Sequence, residues 1–373
     1  MVLKNVFRKR LKPALLLSSL IVGAGMFSLP HVFVRSGIAY GLIALTFFTW
    51  VSISLNSRYA EIIDRDKNKR FASYAKDYLG KKGYLSSLVF VLGGIVFTLT
   101  VYIALAPSFF SLIFQGLSPA VGALVFWAAG SAIVLLGNKK ASAAGLLIFS
   151  AMTAIIIFVG ILAFVKGDTG NIASAALFNP KNLLLPFGPL LFSLSGRSAL
   201  SSIREGYEGK DYSLKGFKRA LQIGAVVPAL IYVIFVAATI ALSGSGVSPD
   251  AVTGLTMFPS LGRMVIGILG ILAILDSFAL LGMEFVGIVS KDVKLPKAVS
   301  YLLFAAIPVI IYFLGTNDFL TLVGITGGIF LAAESIMVVF MSRKAFGTHL
   351  SDFPLIVTFA LGIIYTLFSA LTG

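Results

Sequence analysis

Apolar stretches about 20 residues long recur along the whole chain, each long enough to cross the hydrocarbon core of a bilayer as a helix. They occupy 13–34, 38–57, 85–114, 119–136, 141–165, 183–203, 217–243, 261–289, 298–314, 319–342 and 353–371. The segments between them are too short to hold a soluble domain. With 58% hydrophobic and only 12% charged residues, a water-soluble fold would lack the polar residues to cover its surface. The expected fold is therefore all-α, one integral membrane domain with about 11 spans.

Two of these stretches are poor continuous helices. The first contains Gly23-Ala24-Gly25-Met26-Phe27-Ser28-Leu29-Pro30, two glycines and a proline in the middle of a span. The sixth contains Phe192-Ser193-Leu194-Ser195-Gly196-Arg197-Ser198, preceded by Pro186 and Pro189. In hydrocarbon every backbone N–H and C=O needs a partner, so broken backbone is tolerated only where it is buried in protein or lines a cavity. Breaks of this kind, at mid-membrane, are where secondary transporters hold substrate and coupling ion. The two spans lie five apart and run in opposite directions, which predicts an inverted five-plus-five repeat. Repeat one covers about 13–165 and repeat two about 183–342, with 353–371 as an accessory helix.

The formal charge of +15 reads as a topology signal rather than as a nucleic-acid surface. When alternate loops are assigned to opposite sides, the side of the basic N-terminal tail holds 25 of the 30 Lys and Arg. This positive-inside bias puts the N-terminus in the cytoplasm and, with eleven spans, the C-terminus outside the cell membrane. The tail is expected to precede a retained first helix rather than a cleaved signal peptide. The charged and aromatic segment 58–83 reads as a short interfacial helix on the cytoplasmic face. The outside loop 244–260 is long enough to act as a flexible lid.

Ionisable residues inside a span cost several kcal/mol unless paired or hydrated, so they are functional candidates. Four stand out: Arg197, Asp276, Glu284 and Glu334. An isolated carboxylate such as Asp276 can hold and release a proton near neutral pH. Beside Ser277 and free carbonyls it could equally supply oxygen ligands for Na⁺. Arg197 would either grip a substrate carboxylate or pair with an acidic residue as part of a gate that includes Glu284 or Glu334. Thr98 and Tyr102 lie one helical turn apart and would face one cavity. The chain has no cysteine and two distant histidines, His31 and His349. These leave no thiolate chemistry, no histidine metal centre and little catalytic equipment, so an enzyme is not expected.

The run Ile21-Val22-Gly23-Ala24-Gly25-Met26-Phe27-Ser28-Leu29-Pro30 resembles the G-A-G-M-x-x-x-P signature of amino-acid permeases of the aromatic and hydroxy amino-acid type. These belong to the amino acid–polyamine–organocation superfamily. Arg58-Tyr59-Ala60-Glu61, Tyr74-Ala75-Lys76-Asp77-Tyr78-Leu79-Gly80 and Asp276-Ser277-Phe278-Ala279-Leu280-Leu281-Gly282 agree in order. The resemblance implies the LeuT-type fold, with substrate between spans one and six. It assigns Gly23, Ala24 and Gly25 to the substrate carboxylate, and Phe192, Ser193, Leu194, Ser195 and Gly196 to the amino group and side chain. The cation site would be formed by the backbone of Ser19 to Val22 with Ser277. Two positions depart from the family pattern. Asp276 stands where those permeases usually have a threonine, and Ser195-Gly196-Arg197 stands where they tend to have a histidine.

The function expected from all this is a cation-coupled amino-acid symporter working by alternating access, with protons favoured over Na⁺ and no cofactor. A membrane amino-acid sensor with little net transport is the second reading. The cargo stays open: Leu20, Phe192 and Leu194 suit a neutral or aromatic side chain, whereas a free Arg197 would admit an acidic one. No nucleic-acid partner is expected, and oligomeric state is not readable.

Overall fold

In the computed structural model, residues 12–66, 69–136, 141–197, 200–205, 212–251 and 259–372 are described. The basic tail, Ser198 and the centre of the 244–260 loop fall outside them. The described residues are helical almost throughout and form no strand. Eight helices are long and apolar enough to cross a membrane, or nine with one bent pair taken as a single span. That bent pair is the first span. Helix α1 (Lys12–Ile21) stops at Val22-Gly23, a 3₁₀ turn (Ala24–Ser28) follows, and α2 (Leu29–Ser36) leaves at 48° to α1. Pro30 lies in the first turn of α2, where its missing N–H costs no helical bond.

Span two is α3 (Ile38–Arg65) and span three is α4 (Phe71–Ile113), kinked at Gly80, whose φ is 73°. Only glycine enters that left-handed region cheaply. Span two therefore continues through 58–65, and only the segment from Phe71 to the Gly80 kink remains of the separate interfacial helix expected over 58–83. Next come α5 (Pro119–Leu136) and α6 (Ala141–Lys166), then a short α7 (Thr169–Ser174) capped by Asp168, whose side chain accepts from the Gly170 N–H. The sixth stretch is broken as expected, into α8 (Phe187–Ser193) and α9 (Leu200–Glu205). Helices α10 (Leu214–Ser243), α11 (Ser260–Lys291) and α12 (Lys297–Leu314) are continuous. Span ten is α13 (Phe319–Ile325), a π-helical turn (Thr326–Leu331) and α14 (Ala332–Phe346). The chain ends with α15 (Asp352–Thr372).

Packing divides these elements into two sets. Helix α11 packs most extensively on α4, and α5 and α12 join them. The Trp127 indole N–H donates to the Ala305 carbonyl at 2.9 Å, which ties α5 to α12. Helix α10 packs on both α1 and α3, and α9 sits against α3 and α1. The π turn of span ten is a seam of backbone contacts. A Cβ on Gly327 would lie 1.9 Å from the Gly188 carbonyl oxygen, and one on Gly328 would lie 2.0 Å from Thr366 Oγ1. Glycine there lets α8 and span ten meet main chain to main chain, and lets the Thr366 side chain of α15 reach the backbone of span ten. The last helix also meets α8 directly, because a Cβ on Gly362 would overlap the Phe187 ring at 2.0 Å.

Charged side chains gather at the face where α3 ends. Arg58 pairs with Asp352, and Lys218 with Glu61; Arg204 reaches Asp64 at 3.0 Å. In the connection before α4, the Lys69 ammonium lies 2.7 Å from Asp66 and 2.9 Å from Asp77. Those hydrogen bonds push its pKa above the ordinary lysine value. At the opposite face, the described part of the long loop is docked rather than free. Its Val247 carbonyl lies 2.8 Å from His31 Nδ1, and the Ser108 hydroxyl donates to Asp250. The expectation of a flexible lid is corrected for 244–251, which these bonds hold against spans one and three.

Candidate functional site

The first break forms because Gly23 leaves the helix in an extended conformation, φ −146° and ψ −154°. The helix that ends at Ile21 leaves carbonyls without intrahelical partners, and the 3₁₀ turn that starts at Ala24 leaves N–H groups free. The Ser28 hydroxyl donates to the Gly25 carbonyl at 2.7 Å, and the Met26 N–H donates to the Gly23 carbonyl at 3.3 Å. The glycines differ in role. A Cβ on Gly23 would meet nothing within 4 Å, so this position borders open space. A Cβ on Gly25 would stand 2.6 Å from Ser193 Oγ and 2.7 Å from Ser193 Cα. Gly25 is thus the point where the two breaks press together.

That contact yields a direct prediction. Gly25→Ala must push the sixth break away by the width of a methyl group. We expect substrate affinity to fall about tenfold or more, the equivalent of about 1.4 kcal/mol, while the protein still folds. Ligand-induced thermal stabilisation of purified protein measures it. Unchanged affinity would mean that the two breaks are not in register when substrate binds.

The sixth break places Phe192, Ser193, Leu194, Ser195, Gly196 and Arg197 beside the first. Phe192 and Ser193 face Gly25, and a Cβ on Gly196 would meet Leu17 at 2.8 Å and Ile21 at 2.9 Å. The carbonyls that end α8 are met by side chains of other spans. The Tyr232 hydroxyl lies 2.7 Å from the Ser193 carbonyl and 2.7 Å from that of Ile21, and the Ser52 hydroxyl donates to the Leu194 carbonyl at 3.1 Å. The Ser193 hydroxyl itself is buried with no partner among the described residues. A buried hydroxyl without a hydrogen bond is costly, so this one is available to a ligand.

Arg197 is only 3% exposed along its side chain and pairs with Glu334, 13% exposed, at an Nε–Oε1 distance of 3.3 Å. Its second arm donates to Ser335 Oγ at 2.8 Å and to the Leu331 carbonyl at 3.3 Å. The guanidinium is therefore occupied by span ten, at the end of its π turn. Glu284, on α11, is near enough to Glu334 and to Arg70 to interact with both electrostatically.

On the other wall, Tyr102 is buried, with Ser277 and Asp276 close enough to its hydroxyl to act on it electrostatically. Among the described residues no cationic side chain pairs with Asp276. Thr98 donates back to the Gly94 carbonyl of its own helix at 2.7 Å. Ser19 likewise donates to Leu16 at 2.8 Å. Ser19 and Leu20 belong to α1, which packs chiefly on α10, α6 and α9; Leu20 remains 37% exposed. The structure thus joins Gly25 to Phe192 and Ser193, and Arg197 to Glu334, and it brings Tyr102 near Ser277 and Asp276. Ser19 and Val22 are not drawn together with Asp276 by any of these bonds.

Ser52, Tyr232 and Ser335 reach the site without having been expected there. Tyr232 carries the clearest sequence signal, a single phenol inside the apolar run Leu230-Ile231-Tyr232-Val233-Ile234. A buried tyrosine hydroxyl generally finds a partner.

Comparison with known proteins agrees with this geometry. A model of the tryptophan/tyrosine permease family matches residues 8–349. Among solved structures, the chain resembles MhsT in complex with L-phenylalanine, with a TM-score of 0.69 at 17% identity, covering 97% of this chain and 98% of that one. It also resembles the Eremococcus coleocola manganese transporter, with a TM-score of 0.64 at 14% identity, over 96% of this chain and 85% of that one. Mhp1, a nucleobase-cation-symport-1 family transporter, gives a TM-score of 0.64 at 12% identity, over 96% of this chain and 90% of that one. At these identities the likeness concerns the fold, which is of the LeuT type. No curated protein matches the sequence.

Proposed function

The chain belongs to the tryptophan/tyrosine permease family, and on that premise we propose that it is a cation-coupled symporter of a neutral aromatic amino acid. It is a multi-pass membrane protein that transports amino acids. The observation that carries the finer reading is the junction of the two broken helices at Gly25 and Ser193, with open space at Gly23 beside it. There the backbone amides of Gly23, Ala24 and Gly25 receive the substrate carboxylate, an arrangement favoured by the positive end of a helix. The segment from Phe192 to Gly196, with the unpartnered Ser193 hydroxyl, receives the amino group and side chain. Tyr102 and Thr98 line the facing wall.

A neutral cargo is supported by the engagement of Arg197. With Glu334, Ser335 and the Leu331 carbonyl already on its guanidinium, no free positive charge is left for a second substrate carboxylate. Asp276, with no cationic partner among the described residues and with Tyr102 near it, is the coupling residue, and a proton is its ion. Na⁺ held by Asp276, Ser277 and the backbone of Ser19 to Val22 is the competing choice. Glu284 and Glu334 flank the route to the basic face as gating residues. The N-terminus is cytoplasmic and the C-terminus lies outside the cell membrane.

Uptake into liposomes decides among these. Tryptophan, tyrosine or phenylalanine should accumulate when an inward proton gradient is imposed and should not when only a Na⁺ gradient is present. Accumulation under the Na⁺ gradient alone would replace the proton. No accumulation under either would end the symport reading.

A further inference from the structure

Tyr232 lies on α10, outside both breaks, is fully buried, and is the one residue whose side chain hydrogen-bonds main chain of both broken helices among the described residues. Its two acceptors are of the same kind. Ile21 ends α1 and Ser193 ends α8, so both carbonyls belong to the last turn of a half-helix, where no intrahelical donor remains. Each helix end carries roughly half a negative charge, and two such ends brought close together in a low-dielectric interior repel. The phenol stands between them at 2.7 Å from each. A tyrosine hydroxyl has one proton and can donate fully to one carbonyl at a time. It therefore serves both ends by turning or by sharing, and it can keep one while the other withdraws.

The surrounding contacts fix where that phenol sits. Two turns before Tyr232 on the same helix, the Ser18 hydroxyl donates to the Gly224 carbonyl at 3.2 Å. A Cβ on Gly224 would approach the Ala14 carbonyl oxygen to 2.9 Å and Leu17 Cβ to 3.0 Å. Helix α1 thus rides on α10 at glycine distance, and the phenol is delivered to the end of α1 by a rigid contact. Helix α8 packs on the first break and on α3 rather than on α10, so the Tyr232 bond is the side-chain link from α10 to it among the described residues.

Resting on the transport reading above, we infer that Tyr232 is a positioning residue: its phenol holds the end of α1 and the end of α8 in one register, so the two half-helices bordering the substrate move together. The prediction concerns the substrate's fit, since Tyr232 has no need to touch the substrate.

Three proteins are compared in liposomes: the wild type, Tyr232→Phe, and a variant with 4-aminophenylalanine at 232, whose amine offers two N–H donors. We expect the Phe variant to raise KM about tenfold, about 1.4 kcal/mol in register, with kcat changed much less, and the amino variant to return KM to near the wild-type value. A ring that only fills space would give one KM in all three. The chain has no cysteine, so spin labels at Lys12→Cys on α1 and Leu184→Cys before α8 report their separation directly. The distance distribution should broaden in the Phe variant and narrow again in the amino variant. Unchanged KM with unchanged distances overturns the tie. If the Phe variant does not fold, the amino variant decides, and its failure to fold or to restore the distance also overturns the inference. If the wild type takes up no amino acid, the transport reading fails, while the label distances still test the tie by themselves.

Discussion

Asp276→Asn is expected to abolish gradient-driven accumulation while leaving exchange of substrate across the membrane nearly intact. Asparagine keeps the size and most of the hydrogen-bonding capacity of aspartate but cannot take up a proton. In the structure Asp276 has no cationic partner among the described residues, and Tyr102 and Ser277 are its polar company. Its removal therefore leaves no opposite charge stranded. The loss should fall on coupling alone, at about 100-fold or more in accumulation, a coupling free energy of about 3 kcal/mol. Counterflow of labelled amino acid into preloaded vesicles measures the exchange half of the cycle, and uptake under an inward proton gradient measures the other. An equal loss of both would make Asp276 a structural carboxylate. Full retention of both would move the coupling site elsewhere.

The second large effect is expected at Arg197. This guanidinium is nearly inaccessible and satisfies Glu334, Ser335 and the Leu331 carbonyl together. Breaking a buried pair by removing one partner strands the other charge and costs about 3–5 kcal/mol, whereas replacing both partners by apolar groups is often neutral. Arg197→Met should therefore lower the melting temperature sharply and abolish transport. Arg197→Met combined with Glu334→Met should recover most of the stability without recovering transport, because under the proposed gating role the pair that joins span six to span ten opens and closes during the cycle. Transport that returns together with stability would show the pair to be a fastening with no part in the cycle.

The broken helices were legible in the amino-acid sequence because glycine and proline in the middle of an apolar run contradict a continuous span. No knowledge of the neighbours was needed to see Gly23, Gly25 or Ser195-Gly196. Arg197 was legible as a candidate for the same reason, since a charge in hydrocarbon must have a partner. Which partner it takes was not, because Glu334 lies 137 positions away and the encounter depends on how span ten packs. Tyr232 was hidden for a different reason. Its acceptors are carbonyls that exist only because two other helices stop beside it, so its neighbours in sequence say nothing of its task. Residues 58–65 misled in the opposite direction. Their charges suggested a helix lying on the membrane, yet Arg58, Glu61 and Asp64 find opposite charges on Asp352, Lys218 and Arg204. Those distant partners let span two run on to Arg65. The π turn in span ten has no local signature either, apart from the glycines that its close contacts require.

Those contacts bear on how far the chain can be shortened. By its position after the second repeat, α15 invites removal in any search for a minimal scaffold. Yet its Thr366 and Gly362 are the backing against which Gly328 and Phe187 rest, and Asp352 at its start is the only acidic partner of Arg58 among the described residues. A chain cut after Phe346 would strip one wall from α8 and expose the glycine seam of span ten to lipid, which has no donors or acceptors to offer it. What looks like an appendage is a retaining wall.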